Sequence, residues 1–182
     1  MSRQRLLQIL KEKSYERREV TLASGKKSDF YVDCKQTTLD AEGAYLTGKL
    51  MYEIISRMNE KVAGVGGLTL GADPIATAVS IASFEAKNPI PAFIIRKEPK
   101  GHGTGQWLEG TKNLETGANV VILEDVVTTG GSSLKAVKRA EESGLKVLMI
   151  LTLVDRCEGG RENIENEGYK LEAIFEKKDV AE

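Results

Sequence analysis

A chain of 182 residues suits one domain and is ample for a substantial core. Its 41% hydrophobic and 29% charged residues are ordinary for a globular protein, and a net charge of −1 argues against a global basic field for nucleic acid. No apolar run approaches membrane-spanning length. Two cysteines outside any CxxC pair and a single histidine argue against structural zinc.

In chain order, the opening MSRQRLLQILKEK is amphipathic rather than signal-like, and Leu6, Leu7, Ile9 and Leu10 predict a helix over 3–13. A reduced, cytoplasmic setting is the default expectation. An extended stretch follows over 19–34. Then comes a long helix over 41–58, with Ala41, Ala44, Tyr45, Leu46, Leu50, Met51, Ile54 and Ile55 on its apolar face. Strands at 62–66, 91–96, 119–124, 146–154 and 171–176 alternate with helices at 74–86, 132–143 and 160–167. The alternation predicts an α/β fold with a central parallel sheet flanked by helices. The whole of 1–182 reads as one domain. Residues 1–40 would form a small N-terminal hood over the sheet's carboxyl edge, and 41–182 the core.

The most informative stretch is 120–133. Four apolar residues, Val120 to Leu123, run into Glu124 and Asp125, then into Thr128-Thr129-Gly130-Gly131-Ser132-Ser133. The apolar run suits a strand buried on both faces, whose carboxyl end is where α/β sheets bind ligands. The turn can aim N–H groups and hydroxyls at a phosphate, while the acids suit hydroxyls or a metal on the same ligand. A sugar phosphate fits both halves. Adjacent strand residues point to opposite faces, so both acids reach one ribose only if the strand has ended by Glu124. The turn lacks the lysine of a nucleoside triphosphatase loop, and Gly64-Val65-Gly66-Gly67-Leu68-Thr69 puts threonine where a dinucleotide fingerprint needs glycine. The segment from Gly66 to Pro74 reads equally as a ligand loop or as a plain strand-to-helix connection.

Arg96-Lys97-Glu98-Pro99-Lys100-Gly101-His102-Gly103-Thr104-Gly105 gathers three cations, the sole histidine and alternating glycines after the strand 91–96. Glycines at that spacing permit a lid, and the cations suit a polyphosphate clamp at the same edge as Glu124 and Asp125. Arg156, after the strand 146–154, reads either as a helix cap or a partner for a surface acid, or as a bidentate grip on a planar anion such as a carboxylate.

The stretch 120–133 resembles the phosphoribosyl pyrophosphate (PRPP) motif of type I phosphoribosyltransferases. Arg96-Lys97-x-x-Lys100-x-His102-Gly103 is similar to the catalytic loop of the orotate branch of that family, and Asp155-Arg156 falls where its orotate-binding arginine sits. Thr21-Leu22-x-Ser24-Gly25-Lys26-Lys27-Ser28-x-Phe30-Tyr31-Val32-Asp33 resembles its N-terminal substrate loop. The resemblance implies transfer of phosphoribose from PRPP to orotate, giving orotidine 5′-monophosphate and pyrophosphate. It implies catalytic roles for Arg96, Lys100 and His102, with Lys97 joining them on pyrophosphate. Glu124 and Asp125 would hold ribose hydroxyls. Val126, Val127, Thr128, Thr129, Gly130, Gly131 and Ser132 would cradle the 5′-phosphate. Thr128 and Arg156 would bind orotate, with Lys26 and Phe30 as further contacts. Mg²⁺ would ride on PRPP without a dedicated protein ligand, and the loop 96–109 would be shared across a homodimer. No nucleic-acid or membrane partner is implied. The alternatives are a phosphoribosyltransferase for another base, or a PRPP-binding regulator without catalysis. Two departures from the family pattern stand out: Ala23, and Leu70-Gly71, positions at which some members carry a lysine.

Overall fold

The computed structural model describes residues 2–21, 27–99 and 106–181. The expected Lys26, Lys100 and His102 lie outside the described residues. α1 (Ser2–Lys13) buries Leu6, Ile9 and Leu10, the apolar stripe read from the sequence. β1 (Tyr15–Thr21) and β2 (Lys27–Val32) then form an antiparallel hairpin, with Tyr15 opposite Val32. Extended structure therefore begins four residues earlier than expected, because β2 supplies the pairing that a charged run such as Glu16-Arg17-Arg18 does not advertise.

α2 (Lys35–Thr38) is a single turn, and α3 (Ala41–Ile55) starts where the Asp40 side chain accepts from the Gly43 N–H at 3.0 Å. α3 ends three residues short of the expected 58. Arg57 and Met58 donate to Ile54 and Ile55, three residues back, tightening the chain out of the helix.

The core runs β3 (Gly64–Leu68), α4 (Ala72–Glu85), β4 (Ala92–Ile95), β5 (Leu108–Glu109), β6 (Asn119–Val127), α5 (Gly131–Glu142), β7 (Lys146–Asp155), α6 (Gly160–Asn166), β8 (Leu171–Glu176) and α7 (Lys177–Ala181). Strand order is β5-β4-β3-β6-β7-β8. Five strands are parallel. The sheet departs from the wholly parallel expectation at β5, which returns antiparallel beside β4, pairing Ile94 with Glu109 and Ile95 with Leu108. Both stems of the 96–109 loop are thereby fixed to the sheet.

Alternation along β6 divides the core. Val121 and Leu123 pack with α1, α3 and α4 residues such as Leu6, Met51 and Ile75. Val120 and Ile122 face Ala136, Val137 and Ala140 of α5. From β3 the chain turns through α4 to β4 on one side, whereas from β6 it turns through α5 to β7 on the other. The carboxyl ends of β3 and β6 thus flank the topological switch point, where such sheets open a crevice.

Candidate active site

The wall of this crevice formed by β3 and α4 is shaped by missing side chains. A Cβ on Gly67 would lie 2.1 Å from the Leu123 carbonyl oxygen, and one on Gly71 would lie 2.5 Å from Asp125 Oδ1. The Thr69–Leu70 peptide is cis, Thr69 donates its N–H to the Ile95 carbonyl at 2.9 Å, and its hydroxyl donates to Asp73 Oδ2 at 2.6 Å. Pro74 sits in the first turn of α4, where no intrahelical donor is lost.

On the β6 side, the strand expected over 119–124 continues to Val127, so it runs through the acid pair. Glu124 follows the α5 face and accepts from the hydroxyls of Ser132 at 2.9 Å and Ser133 at 3.1 Å. Asp125 follows the opposite face, takes the Val126 N–H at 2.9 Å, and lies 3.8 Å from the Lys35 ammonium. The last register pair between β3 and β6 is Gly66–Ile122, short of the acid pair. Burial first, and then the charge of Asp125, raises the Glu124 carboxyl to about 7.

The turn after β6 is clamped against the turn after β7. Gly130 takes φ of +80° at the start of α5, whose first turn has no side-chain cap. A Cβ on Gly160 would strike Val127 Cγ1 at 2.5 Å and the Thr128 carbonyl oxygen at 2.7 Å. Asn163 Nδ2 donates to the Thr129 carbonyl at 3.0 Å. Backbone N–H groups at the head of α5, with the half-buried Thr128 and exposed Thr129, are left facing the crevice. The Ser132 hydroxyl, in the same turn, donates to Glu124.

Val127 and Asp155 are register partners, and the Arg156 N–H donates to the Val127 carbonyl at 2.9 Å. Arg156 is buried. Its Nη2 donates to the Phe30 carbonyl at 3.1 Å and to Glu158 Oε1 at 3.0 Å, and its guanidinium lies 5.4 Å from the Phe30 ring centroid. Arg156 thus pairs with an acid, Glu158, and its backbone stands beside the β6 turn. The Phe30 ring is buried in the core beside Tyr15, so Phe30 meets the site through its carbonyl and through the ring face near Arg156. Beneath them Asp155, fully buried, accepts from the Cys157 N–H at 2.8 Å and from Arg161 Nη2 at 3.1 Å.

On the far side, Arg96 Nη1 pairs with Glu109 Oε1 at 3.1 Å across the loop's two stems, and Lys97 is exposed. Trp107 packs against the core with the Arg139 guanidinium 3.5 Å from its ring centroid. Sequence reading missed Lys35, Asp73, Glu158 and Asn163. Their partners are Asp125, Thr69, Arg156 and the Thr129 carbonyl, and the contacts of Lys35 with Asp125 and of Asn163 with Thr129 span long separations that no local motif announces.

The profile of the phosphoribosyl transferase domain matches residues 36–175. A curated orotate phosphoribosyltransferase of Aquifex aeolicus is 50% identical over 178 residues, covering 96% of this chain and 95% of that protein. The chain belongs to the orotate phosphoribosyltransferase family. A second member, from Sorangium cellulosum, is 46% identical across 97% of this chain and 92% of its own. Among solved structures, the orotate phosphoribosyltransferase of Mycobacterium tuberculosis in complex with PRPP superposes with a TM-score of 0.82 at 36% identity, covering all of both chains. The α/β core and hood are thus those of the family, and no helix among the described residues is long and apolar enough to cross a membrane.

Proposed function

We propose that this chain transfers the 5-phosphoribosyl group of PRPP to orotate, releasing orotidine 5′-monophosphate and pyrophosphate. The observation that carries this reading is the Val127–Asp155 pairing. It sets the turn that suits a 5′-phosphate and the Arg156 guanidinium side by side at the carboxyl edge, next to the acid pair. A phosphate, a ribose and a planar carboxylated base can be held in that order.

In this mechanism the turn at 126–132 takes the 5′-phosphate through its N–H groups and Thr128, and Glu124 and Asp125 hold ribose hydroxyls. Arg156, oriented by Glu158 and the Phe30 carbonyl, grips the orotate carboxylate. Lys26 is a further orotate contact, and Phe30 supports Arg156. Orotate attacks as its anion, so no catalytic base is required. Pyrophosphate leaves from an oxocarbenium-like ribose with inversion at the anomeric carbon, by analogy with glycosyl transfer. Arg96, Lys97, Lys100 and His102 stabilise the departing charge, and fixed geometry supplies the entropic part of the rate. The loop 96–109 reaches into the neighbouring site of a homodimer and keeps water from PRPP.

Mg²⁺ suits this site as a passenger on PRPP. Magnesium favours substrate phosphates with few protein carboxylates, and among the described residues no group of three or more acid, histidine or cysteine side chains is placed to hold a metal ion. When bound, the ion neutralises pyrophosphate charge. The free thiols of Cys34 and Cys157 suit a reduced, cytoplasmic setting. The test is the reaction itself: orotate loss requiring both PRPP and Mg²⁺, with equimolar pyrophosphate formed. Orotate that stays unconsumed with both present contradicts the reading.

A further inference from the structure

The crevice at the switch point presents acids to any anion that enters. Glu124 and Asp125 are buried there. Asp73, in the first turn of α4, has a buried Oδ1 without a hydrogen-bond partner among the described residues. A diphosphate needs a cation within direct reach of such a wall. Among the described cations, Arg96 and Lys97 share a pocket with Thr69 and Asp73, and Lys35, at the start of α2 where the hood meets the core, approaches Asp125. Its ammonium lies 2.8 Å from Asp33 Oδ1 and 3.8 Å from Asp125 Oδ2.

Asp33 is itself held in place. It accepts from the Lys35 N–H and from Gln36 Nε2, both at 3.2 Å. The bond to Asp33, with the charge of Asp125, raises the Lys35 ammonium further above its ordinary range and keeps it charged. The distance to Asp125 exceeds a hydrogen bond, so with one of three N–H donors on Asp33 the ammonium retains donors for a ligand. Its side chain remains 43% exposed. Lys35 lines the same surface as Leu70, Asp73 and Pro74, while Gly71 is barred from a side chain by Asp125. The loop after β3 therefore brings no cation of its own, and the hood junction brings one beside it.

We propose that Lys35 is a diphosphate-binding residue: its ammonium, poised by Asp33, donates to the pyrophosphate group of bound PRPP from outside the loop after β3. This rests on the reading of the chain as a PRPP-dependent transferase. Titration calorimetry with magnesium pyrophosphate and, separately, with orotidine 5′-monophosphate tests it on the wild type, Lys35→Met and Lys35→Arg. Lys35→Met is expected to weaken pyrophosphate binding about ten- to a hundredfold, the loss of one charge-assisted hydrogen bond. Affinity for orotidine 5′-monophosphate and the melting temperature stay unchanged, and Lys35→Arg retains most of the pyrophosphate affinity. Unchanged pyrophosphate binding in Lys35→Met overturns the proposal, as does an equal loss for both ligands, which would place Lys35 behind Asp125 at the ribose. A wild type that binds neither ligand overturns the functional reading along with it.

Discussion

Ser132 donates its hydroxyl to Glu124 Oε2 across 2.9 Å, joining the carboxyl end of β6 to the first turn of α5. The bond favours a charged Glu124, but burial and the neighbouring Asp125 outweigh it and leave the carboxyl at about 7. A carboxyl raised above its unfolded value near 4.5 binds more protons in the folded state between those two values. Stability therefore falls as pH rises through that window, and the cost is complete above 7. Glu124→Gln is expected to melt higher than the wild type at pH 8, with the gain fading toward pH 4.5. At this chain length each kcal/mol is worth ~2–4 °C. Melting curves at both ends of the window check this, and a gain independent of pH contradicts it.

Gly160 is required for space. Gly160→Ala puts a methyl into Val127 and the Thr128 carbonyl, so the β6 turn must shift. Overpacking of this kind costs ~1–3 kcal/mol. The expected outcome is a lower melting temperature and a raised KM for PRPP. Gly117→Ala has φ of +79° and nothing within 4 Å, so it carries backbone strain without the shift. It should lower stability and leave KM for PRPP alone. Parallel KM changes in the two variants count against the clamp.

Arg139 over Trp107 ties the returning stem of the 96–109 loop to α5. Arg139 also pairs with Glu142, but exposed pairs contribute little. The cation–π contact is worth ~0.5–1 kcal/mol, so Arg139→Ala should lower the melting temperature by ~1–4 °C. Trp107 is the chain's one tryptophan, and acrylamide should quench its fluorescence more in the variant. Identical quenching means the stack does not cover the ring.

Much of this architecture was legible in the sequence. The parallel strands, α1 and α3 to α6 follow from apolar periodicity, and the acid pair with its glycine turn located the crevice. Other features depend on partners remote in the chain. The two-residue β5 exists because β4 offers it an edge. β6 outruns its expected end because β7 continues the ladder past Glu124 to Asp155, even where two acids interrupt the apolar run. That the charge of Asp125 bears on Glu124 is likewise hidden from alternation along one strand. Lys35 went unnoticed because the carboxylate it approaches lies ninety residues on.

Arg156→Ala should act on the base and leave PRPP largely untouched. Loss of charge-assisted hydrogen bonds predicts an increase of about ten- to a hundredfold in KM for orotate. Arg156→Lys should restore little, because an ammonium cannot reproduce the planar fork. Steady-state kinetics with each substrate varied separately check this. A rise confined to KM for PRPP contradicts the assignment.

The central claim is that the crevice handles a carboxylated pyrimidine. Its most direct measurement is the initial rate with orotate, uracil and adenine at equal concentration, with PRPP and Mg²⁺ saturating. Consumption of orotate, with uracil and adenine slower by about two orders of magnitude or more, is the predicted result, since neither uracil nor adenine carries the carboxylate that Arg156 grips. Equal or faster use of uracil or adenine, or no turnover of any base, would contradict it.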